Sequence, residues 1–251
     1  MRADLAVLPS AAALADAAAG RFVAAAGDAI ASRGQFIVAL SGGSTPRGSY
    51  LRLGTEALVS KVMWSRVQVV WGDERCVPPH HVESNYRMAR ETLLDRVPLP
   101  AANVHRIHGE DDPAAAAGVY EATMRDLLRT PAGPPTATSG ARIDLVLLGL
   151  GEDGHTASLF PGSAAAREQT RWVMAAHATA ASMWRITLTP AVINAAAEVL
   201  FLVSGGAKAG ILRRVLEGPR RPEELPAQAI APSNGRVRWC VDAAAAADLT
   251  P

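Results

Sequence analysis

Six short runs of apolar residues recur along the chain and give the first expectation for its fold. They cover residues 36–40, 67–71, 143–149, 185–189, 199–203 and 237–241. Most of these runs are apolar almost throughout rather than at alternate positions, which is typical of strands covered by helices on both faces. The pattern therefore predicts a set of buried β-strands.

Helical patterns lie between these runs and complete the expected architecture. They cover residues 45–60, 85–94, 113–129, 190–197 and 207–217. At the amino end, a short strand is expected to precede an alanine-rich helix that Ser10 caps and that reaches about residue 32. Regular alternation of strands and helices predicts an α/β protein, a three-layer α/β/α sandwich around a mostly parallel central sheet.

Length and composition favour a single domain over residues 1–251. The chain has 251 residues, of which 49% are hydrophobic and 20% charged, enough to fill one large core. The segment 130–140, TPAGPPTATSG, lacks apolar periodicity and is expected to be a flexible surface loop. Asp4, Pro9 and Asp16 interrupt the apolar amino terminus, so neither an export signal nor a membrane span is expected.

Charge and cysteine content narrow the class of partner. The formal net charge is +1, which leaves no basic field for a nucleic acid but allows local binding of a small anion. The two cysteines, Cys76 and Cys240, form neither a disulfide scaffold nor a zinc motif, and Cys76 is expected to be a small buried apolar residue. A reducing cytoplasm fits this usage, and no metal is expected.

Two Ser-Gly-Gly turns follow predicted strands, at 41–43 and 204–206. In the first, Gly42 and Gly43 let the backbone approach a ligand, and Ser44 or Thr45 is expected to cap a helix whose free N–H groups suit phosphate. In the second, Lys208 stands at the positive end of a helix dipole, where a cation is unfavourable without an anion. A plain capped turn and a solvated lysine are the alternatives.

Charged residues cluster directly after the strand 67–71. Asp73, Glu74 and Arg75 follow it, at the edge of the sheet where ligands of open α/β folds collect. A carboxylate and a guanidinium facing a polar ligand would suit this position, although a solvated loop has the same composition. Further on, Ser84 or Asn85 is expected to cap an amphipathic helix.

The segment GLGEDGHTASLFPG, residues 149–162, matches the spacing G-x-G-x-x-G of dinucleotide-binding turns. Glu152 and Asp153 would oppose a pyrophosphate, and Pro161 would break a helix begun there, so the match is interpreted as accidental. His155 then follows an acidic turn at a strand end. A histidine that a neighbouring acid orients is suited to general base catalysis near neutral pH.

Several of these segments, in this order, resemble one known family. The segments are SGGSTP, WGDER, SNYRMA, GLGEDGHTASLFPG, RITLT and SGGAK. Together they are similar to the 6-phosphogluconolactonases of the glucosamine-6-phosphate isomerase/6-phosphogluconolactonase superfamily. The resemblance implies an open, doubly wound fold of the NagB/RpiA-like kind, no cofactor, and hydrolysis of 6-phospho-D-glucono-1,5-lactone to 6-phosphogluconate, the second step of the oxidative pentose phosphate pathway.

The resemblance also implies roles for individual residues. His155 would take a proton from the attacking water, with Asp153 or Glu152 orienting its ring. Asp73 and Arg75 would lie beside the substrate, and Arg75 could bind phosphate or stabilise charge. The substrate-binding residues expected around them are Gly42, Gly43, Ser44, Thr45, Asn85, Arg185 and Lys208, of which Arg185, Lys208 and the backbone of 42–45 would take the phosphate.

Three other functions are weighed against the lactonase. Deaminases of the same superfamily carry a glutamate five residues after the histidine, and Phe160 stands at that position here. An NAD-dependent dehydrogenase conflicts with Glu152 and Asp153, and a sugar-phosphate sensor would need a DNA-binding segment for which the length leaves no room. The expected partner is a small sugar-phosphate lactone, and neither a nucleic acid nor a membrane is expected to bind. The protein is expected to be a monomer or small homo-oligomer in the cytoplasm.

Overall fold

Nine strands and eight helices are found in the computed structural model, which describes residues 4–128, 142–178 and 182–250. The predicted loop 130–140 lies outside the described residues. The strands are β1 Asp4–Leu8, β2 Phe36–Leu40, β3 Val67–Trp71, β4 Asp73–Arg75, β5 Leu145–Leu148, β6 Val173–Ala178, β7 Met183–Leu188, β8 Glu198–Val203 and β9 Arg236–Asp242. The helices are α1 Ala11–Arg33, α2 Ser44–Leu53, α3 Glu56–Val59, α4 Asn85–Thr92, α5 Pro113–Leu128, α6 Ala164–Arg167, α7 Pro190–Ile193 and α8 Ala209–Glu217.

Six of the strands form one parallel sheet in the order β1-β9-β8-β5-β2-β3. Strands β2, β5 and β8 are buried at every residue, as the apolar runs that overlap them predict, although β8 begins with a charged residue, Glu198. Helices cover the sheet in a three-layer α/β/α arrangement, so the predicted fold class is confirmed. Parallel strands end at the same edge, which brings the loops after β2, β5 and β8 together.

A second, three-stranded sheet corrects the prediction for the run 185–189. That run belongs to β7, which pairs antiparallel with β4 and β6 in the order β4-β7-β6, outside the parallel sheet. Gly72 is the one residue between β3 and β4 and joins both sheets. Its N–H donates to Leu40 of β2 at 2.8 Å, and its carbonyl accepts from Leu188 of β7 at 2.8 Å.

Helix boundaries follow the predicted caps in one case and differ in others. Ser10 caps α1 as expected, accepting a hydrogen bond from the N–H of Ala13 at 3.2 Å. The predicted helix 45–60 is interrupted at Gly54. Its cap is Gly43, with φ of 103°, rather than Ser44 or Thr45, because that backbone conformation is open to glycine and strained for other residues.

Two other helices are shorter than their apolar patterns. Helix α7 stops at Ile193, and α8 begins at Ala209 after a 3₁₀ turn over Gly206–Lys208. Lys208 is thus the residue that precedes the α-helix. Within the described ranges, no helix is both long and apolar enough to cross a membrane.

Candidate active site

A cleft of about 260 Å³ opens where β2, β5 and β8 end. The small sheet supplies its other wall through β4 and β7. Ten of the eleven predicted site residues line this cleft: Gly42, Gly43, Ser44, Thr45, Asp73, Arg75, Asn85, His155, Arg185 and Lys208. Both Ser-Gly-Gly turns therefore open onto one space, as their positions after parallel strands suggest.

The eleventh residue, Asp153, lies behind the histidine. Its Oδ1 is 2.5 Å from Nδ1 of His155 and also accepts the backbone N–H of His155 at 3.0 Å. Glu152 points elsewhere, with its carboxylate 3.7 Å from Nζ of Lys208. Of the two acids left open by the sequence, Asp153 is the one in contact with the imidazole.

The Asp153 contact decides which ring nitrogen is free. Partial burial raises the pKa of Asp153, but the hydrogen bonds from His155 and the interaction with its ring outweigh it, so the pKa is lowered. An ionised carboxylate only accepts hydrogen bonds, so Nδ1 of a neutral His155 must carry the proton. The lone pair is then on Nε2, which suits it to accept a proton.

The glycines in 149–154 leave space for the ring of His155 and shape the turn before it. A Cβ added to Gly151 would lie within 3.0 Å of three atoms of the His155 ring. Gly154 has φ of 86°, and no helix starts there. The interpretation that the G-x-G-x-x-G match is accidental therefore agrees with the local structure. Phe160, in place of the deaminase carboxylate, packs its ring 5.0 Å from that of His155.

The start of α2 forms a cradle of backbone donors. Among the hydrogen bonds of the described residues, none uses the N–H of Gly43, Ser44 or Thr45 as donor. The hydroxyl of Tyr50 holds the backbone of Ser41, the first residue of the turn, because it accepts the Ser41 N–H at 3.0 Å and donates to the Ser41 carbonyl at 2.9 Å. Free N–H groups at the positive end of a helix are suited to a phosphate.

The second Ser-Gly-Gly turn is closed by a carboxylate of the protein itself. Asp242, at the end of β9, accepts the hydroxyl of Ser204 at 2.5 Å and the N–H of Gly205 at 3.0 Å. These two donors are therefore occupied, whereas those of the first turn are free. What this turn offers a ligand is the ammonium group of Lys208.

Two arginines face each other across the small sheet. Arg75 of β4 is the register partner of Arg185 of β7, and both line the cleft. Desolvation by burial, and next the charge of Arg75, lower the pKa of Arg185. Arg75 donates to the carbonyl of Glu83 at 2.5 Å. Like charges directly opposite on neighbouring strands are destabilising, so an anion between them would relieve the repulsion.

Asp73 is held between two donors. Its Oδ2 accepts the hydroxyl of Ser158 at 2.6 Å, and its Oδ1 accepts Nδ2 of Asn85 at 3.2 Å. Ser84, not Asn85, caps α4 by accepting the N–H of Arg87 at 3.1 Å. Asn85 is buried and lines the cleft wall, so it does not have the capping role that the sequence allowed.

Four buried polar atoms of the cleft have no hydrogen-bond partner among the residues that the structure describes. They are Oγ of Ser41, Nε of Arg75, Oδ1 of Asn85 and Nε of Arg185. Buried polar groups of folded proteins are nearly always hydrogen-bonded. Their convergence on one space indicates a ligand rich in oxygen and hydroxyl groups.

Several supporting residues are missing from the sequence-based set. Ser41 and Ser158 lie inside the quoted segments, but nothing in their spacing separates them from neighbouring hydroxyls. Asp242 stands at the end of an ordinary apolar strand, and its contact with Ser204 depends on the tertiary fold. Cys76 is half-buried, and burial raises the pKa of its thiol to about 11, which argues against a nucleophile.

Comparison with known proteins gives consistent matches over the whole chain. The family described as glucosamine-6-phosphate isomerases/6-phosphogluconolactonase matches residues 9–239. A 6-phosphogluconolactonase of Nostoc sp. is 37% identical over 251 residues and all of both chains, and one of Synechocystis sp. is 40% identical over 89% of this chain and 88% of the relative. The structure of 6-phosphogluconolactonase from Trypanosoma cruzi superposes with a TM-score of 0.86 at 31% identity, covering 100% of this chain and 98% of that one.

Proposed function

Because the chain belongs to the glucosamine-6-phosphate isomerase/6-phosphogluconolactonase family, we propose that it hydrolyses 6-phospho-D-glucono-1,5-lactone to 6-phosphogluconate in the oxidative pentose phosphate pathway. The observation that carries the proposal is the pairing of a proton-accepting His155 with an anion-binding set of residues in one cleft. We further propose that it acts in the cytoplasm, as a single domain, in a monomer or small homo-oligomer.

His155 acts as general base. With Nδ1–H bound to Asp153, Nε2 takes a proton from water, and the resulting hydroxide attacks the lactone carbonyl carbon. A tetrahedral oxyanion forms. It collapses with cleavage of the bond between the carbonyl carbon and the ring oxygen, and the imidazolium returns its proton to that oxygen. The carboxylate of Asp153 stabilises the positively charged ring in between.

The phosphate binds to the cationic side of the cleft. The free N–H groups at the start of α2 donate hydrogen bonds to it, together with Lys208 and Arg185. Arg75, opposite Arg185, either shares the phosphate or stabilises the oxyanion. The buried carboxylate of Asp73 accepts hydrogen bonds from sugar hydroxyls. Binding at several points fixes the carbonyl relative to the base, and orientation of this kind supplies much of an enzyme's rate.

The rate acceleration required of the general base is modest. A lactone is an activated ester that opens slowly in water without help, and general base catalysis contributes about 10²- to 10⁴-fold. The deaminase alternative needs a glutamate five residues after the histidine for ring opening. Phe160 fills that position with an apolar ring 5.0 Å from the imidazole, so the arrangement favours the lactonase.

The experiment is a comparison of acid release and ammonia release. Freshly made 6-phosphogluconolactone is given to the protein in a weakly buffered solution, and acid production is corrected for spontaneous hydrolysis. We expect enzyme-dependent acid release, its loss in His155→Ala, and its retention in His108→Ala, whose exposed ring contacts Asp111 at 3.6 Å. Ammonia released from glucosamine 6-phosphate at a comparable rate, or full activity of His155→Ala, would contradict the proposal.

A further inference from the structure

Glu74 is a buried carboxylate that the proposed reaction does not use. It is the middle residue of the three-residue strand β4 and is 2% exposed. Neighbouring side chains of a strand point to opposite faces, so Glu74 points away from the cleft that Asp73 and Arg75 line. No ion pair of the described residues includes Glu74. Burying a carboxylate without a cation is costly and calls for a compensating set of donors.

Four donors surround this carboxylate, and three of them belong to the start of α4. Oε1 accepts the N–H of Asn85 at 2.7 Å and that of Arg75 at 2.8 Å. Oε2 accepts the N–H of Tyr86 at 2.8 Å and the hydroxyl of Ser84 at 3.1 Å. A negative charge at the positive end of a helix is favourable. Glu74 therefore fastens the first turn of α4 to the back of β4.

Because Glu74 holds this turn, the side chain of Asn85 lies against Asp73. Its Nδ2 donates to the carbonyl of Asp73 at 2.8 Å and to Oδ1 of the same residue at 3.2 Å. Its Oδ1 is buried and has no hydrogen-bond partner within residues 4–128, 142–178 and 182–250, and Asn85 lines the cleft. The space for it comes from Gly42, since a Cβ there would lie within 3.0 Å of three atoms of the Asn85 amide.

We propose that Glu74 is a positioning residue of the lactonase reaction, which acts through Asn85 to set the orientation of the Asp73 carboxylate. The inference rests on the proposed function. Glu74 does not touch the substrate. Its carboxylate accepts the backbone N–H of Asn85, and the Asn85 amide in turn donates to Oδ1 of Asp73. Asp73 and Arg75, on either side of Glu74, line the cleft, and Glu74 holds the first turn of α4, which supplies Asn85 to the same wall.

A double-mutant cycle with Glu74→Gln and Asn85→Ala tests this. Glutamine keeps the size of the side chain, but its amide group cannot accept the two hydrogen bonds made to one of the carboxylate oxygens. We expect Glu74→Gln to lower kcat/KM by about 10- to 100-fold, the range that misplacement of reacting groups produces. In the Asn85→Ala background the same change should lower kcat/KM less than about 2-fold, because the residue through which it acts is gone.

Stability measurements separate positioning from a merely structural role. The fall in urea midpoint caused by Glu74→Gln should be similar in both backgrounds, while its effect on kcat/KM is not. Ser10→Ala, which removes the cap of α1 far from the cleft, is the control for loss of stability with unchanged kcat/KM. If Glu74→Gln does not fold, Glu74→Asp enters the same cycle, because it keeps the charge and shortens the reach.

Three outcomes are distinguished. Loss of kcat/KM that disappears in the Asn85→Ala background supports the inference. Unchanged kcat/KM in a folded Glu74 variant, or an equal loss in both backgrounds, overturns it while the lactonase function stands. Absence of enzyme-dependent acid release from the wild-type protein overturns the proposed function itself.

Discussion

Gly151 packs directly against the imidazole of His155, so closely that a Cβ at position 151 would lie within 3.0 Å of three ring atoms. The φ angle of Gly151 is not in the left-handed region, so any effect of alanine there comes from this overlap. Gly151→Ala should displace the ring from Asp153. We expect kcat to fall by about 10²-fold or more, which approaches the full contribution of a general base. Steady-state kinetics with the lactone measures this.

The matched control for this change is Gly118→Ala in α5. A Cβ at Gly118 meets nothing within 4 Å, and the residue is exposed on a helix away from the cleft. We expect kcat within about 2-fold of wild type, with slightly higher stability because alanine favours helix. Wild-type kcat in Gly151→Ala would show that the ring position in the structure is not the catalytic one.

Asp153 and Glu152 differ in what they contact, and their amide variants should differ accordingly. Asp153→Asn replaces the acceptor that fixes the Nδ1–H form of His155, so kcat should fall by about 10- to 10³-fold with little change in KM. Glu152→Gln removes a contact to Lys208 of 3.7 Å with an exposed carboxylate, and kcat should change less than about 2-fold. A larger loss in Glu152→Gln than in Asp153→Asn would reverse the assignment.

The opposed pair Arg75 and Arg185 predicts a dependence on the phosphate of the substrate. Arg185→Gln should raise KM for 6-phosphogluconolactone about 10- to 100-fold, because a charge-assisted hydrogen bond contributes about 1.5–3 kcal/mol. The kcat/KM for unphosphorylated glucono-1,5-lactone should change little. Arg171→Gln, an exposed arginine paired with Glu168 at 2.8 Å, is the control.

Equal losses for both lactones would show that Arg185 does not bind the phosphate. A thermal shift offers an independent measurement without turnover. Inorganic phosphate should stabilise the wild-type protein increasingly as its concentration rises above the dissociation constant, and the Arg185→Gln variant less at the same concentration. Removal of one of two adjacent guanidinium groups should also raise the melting temperature of the ligand-free protein.

Asp242 predicts a contribution to stability that depends on pH. Burial raises the pKa of this carboxyl group, but hydrogen bonds from Ser204, Ala245 and Gly205 outweigh it and lower the pKa in the folded protein. The stabilisation is therefore present above the unfolded pKa of about 3.9 and is lost as pH falls through the folded pKa. Asp242→Asn should cost about 1–3 kcal/mol at pH 7.

Urea unfolding of wild type and Asp242→Asn at pH 7, 5 and 3 checks this. The difference in unfolding free energy should be similar at pH 7 and pH 5 and should shrink at pH 3, because the carboxyl group of the unfolded chain is then largely protonated. A difference that grows towards low pH would show that Asp242 is not ionised in the folded protein.

Much of the parallel sheet could be predicted because each of its strands carries its own signal. The runs 36–40 and 67–71 coincide with β2 and β3. The sheet to which the run 185–189 belongs could not be predicted, since an apolar strand looks the same in either sheet. Its partner, Asp73–Arg75, is a strand of three charged residues whose form depends on pairing with β7. That the chain is one domain stays a prediction.

The sequence likewise predicts some features of the candidate site and not others. His155 and Asp153 are two residues apart, so the sequence could name both, but choosing Asp153 over Glu152 required the direction of each side chain. Gly43 replaces Ser44 as the cap because the backbone needs φ of 103°, a requirement set by the turn as a whole. The place of Asn85 depends on Glu74, eleven positions earlier, through a contact that no local pattern contains.

Gly72 bonds to β2 through its N–H and to β7 through its carbonyl, so the parallel and antiparallel walls of the cleft are connected at one residue. A hinge between the walls would have to break one of these hydrogen bonds, both of which are 2.8 Å long. We therefore expect the two walls to keep their relative orientation when a ligand binds, so that adjustment falls to the side chains and loops at the rim of the cleft.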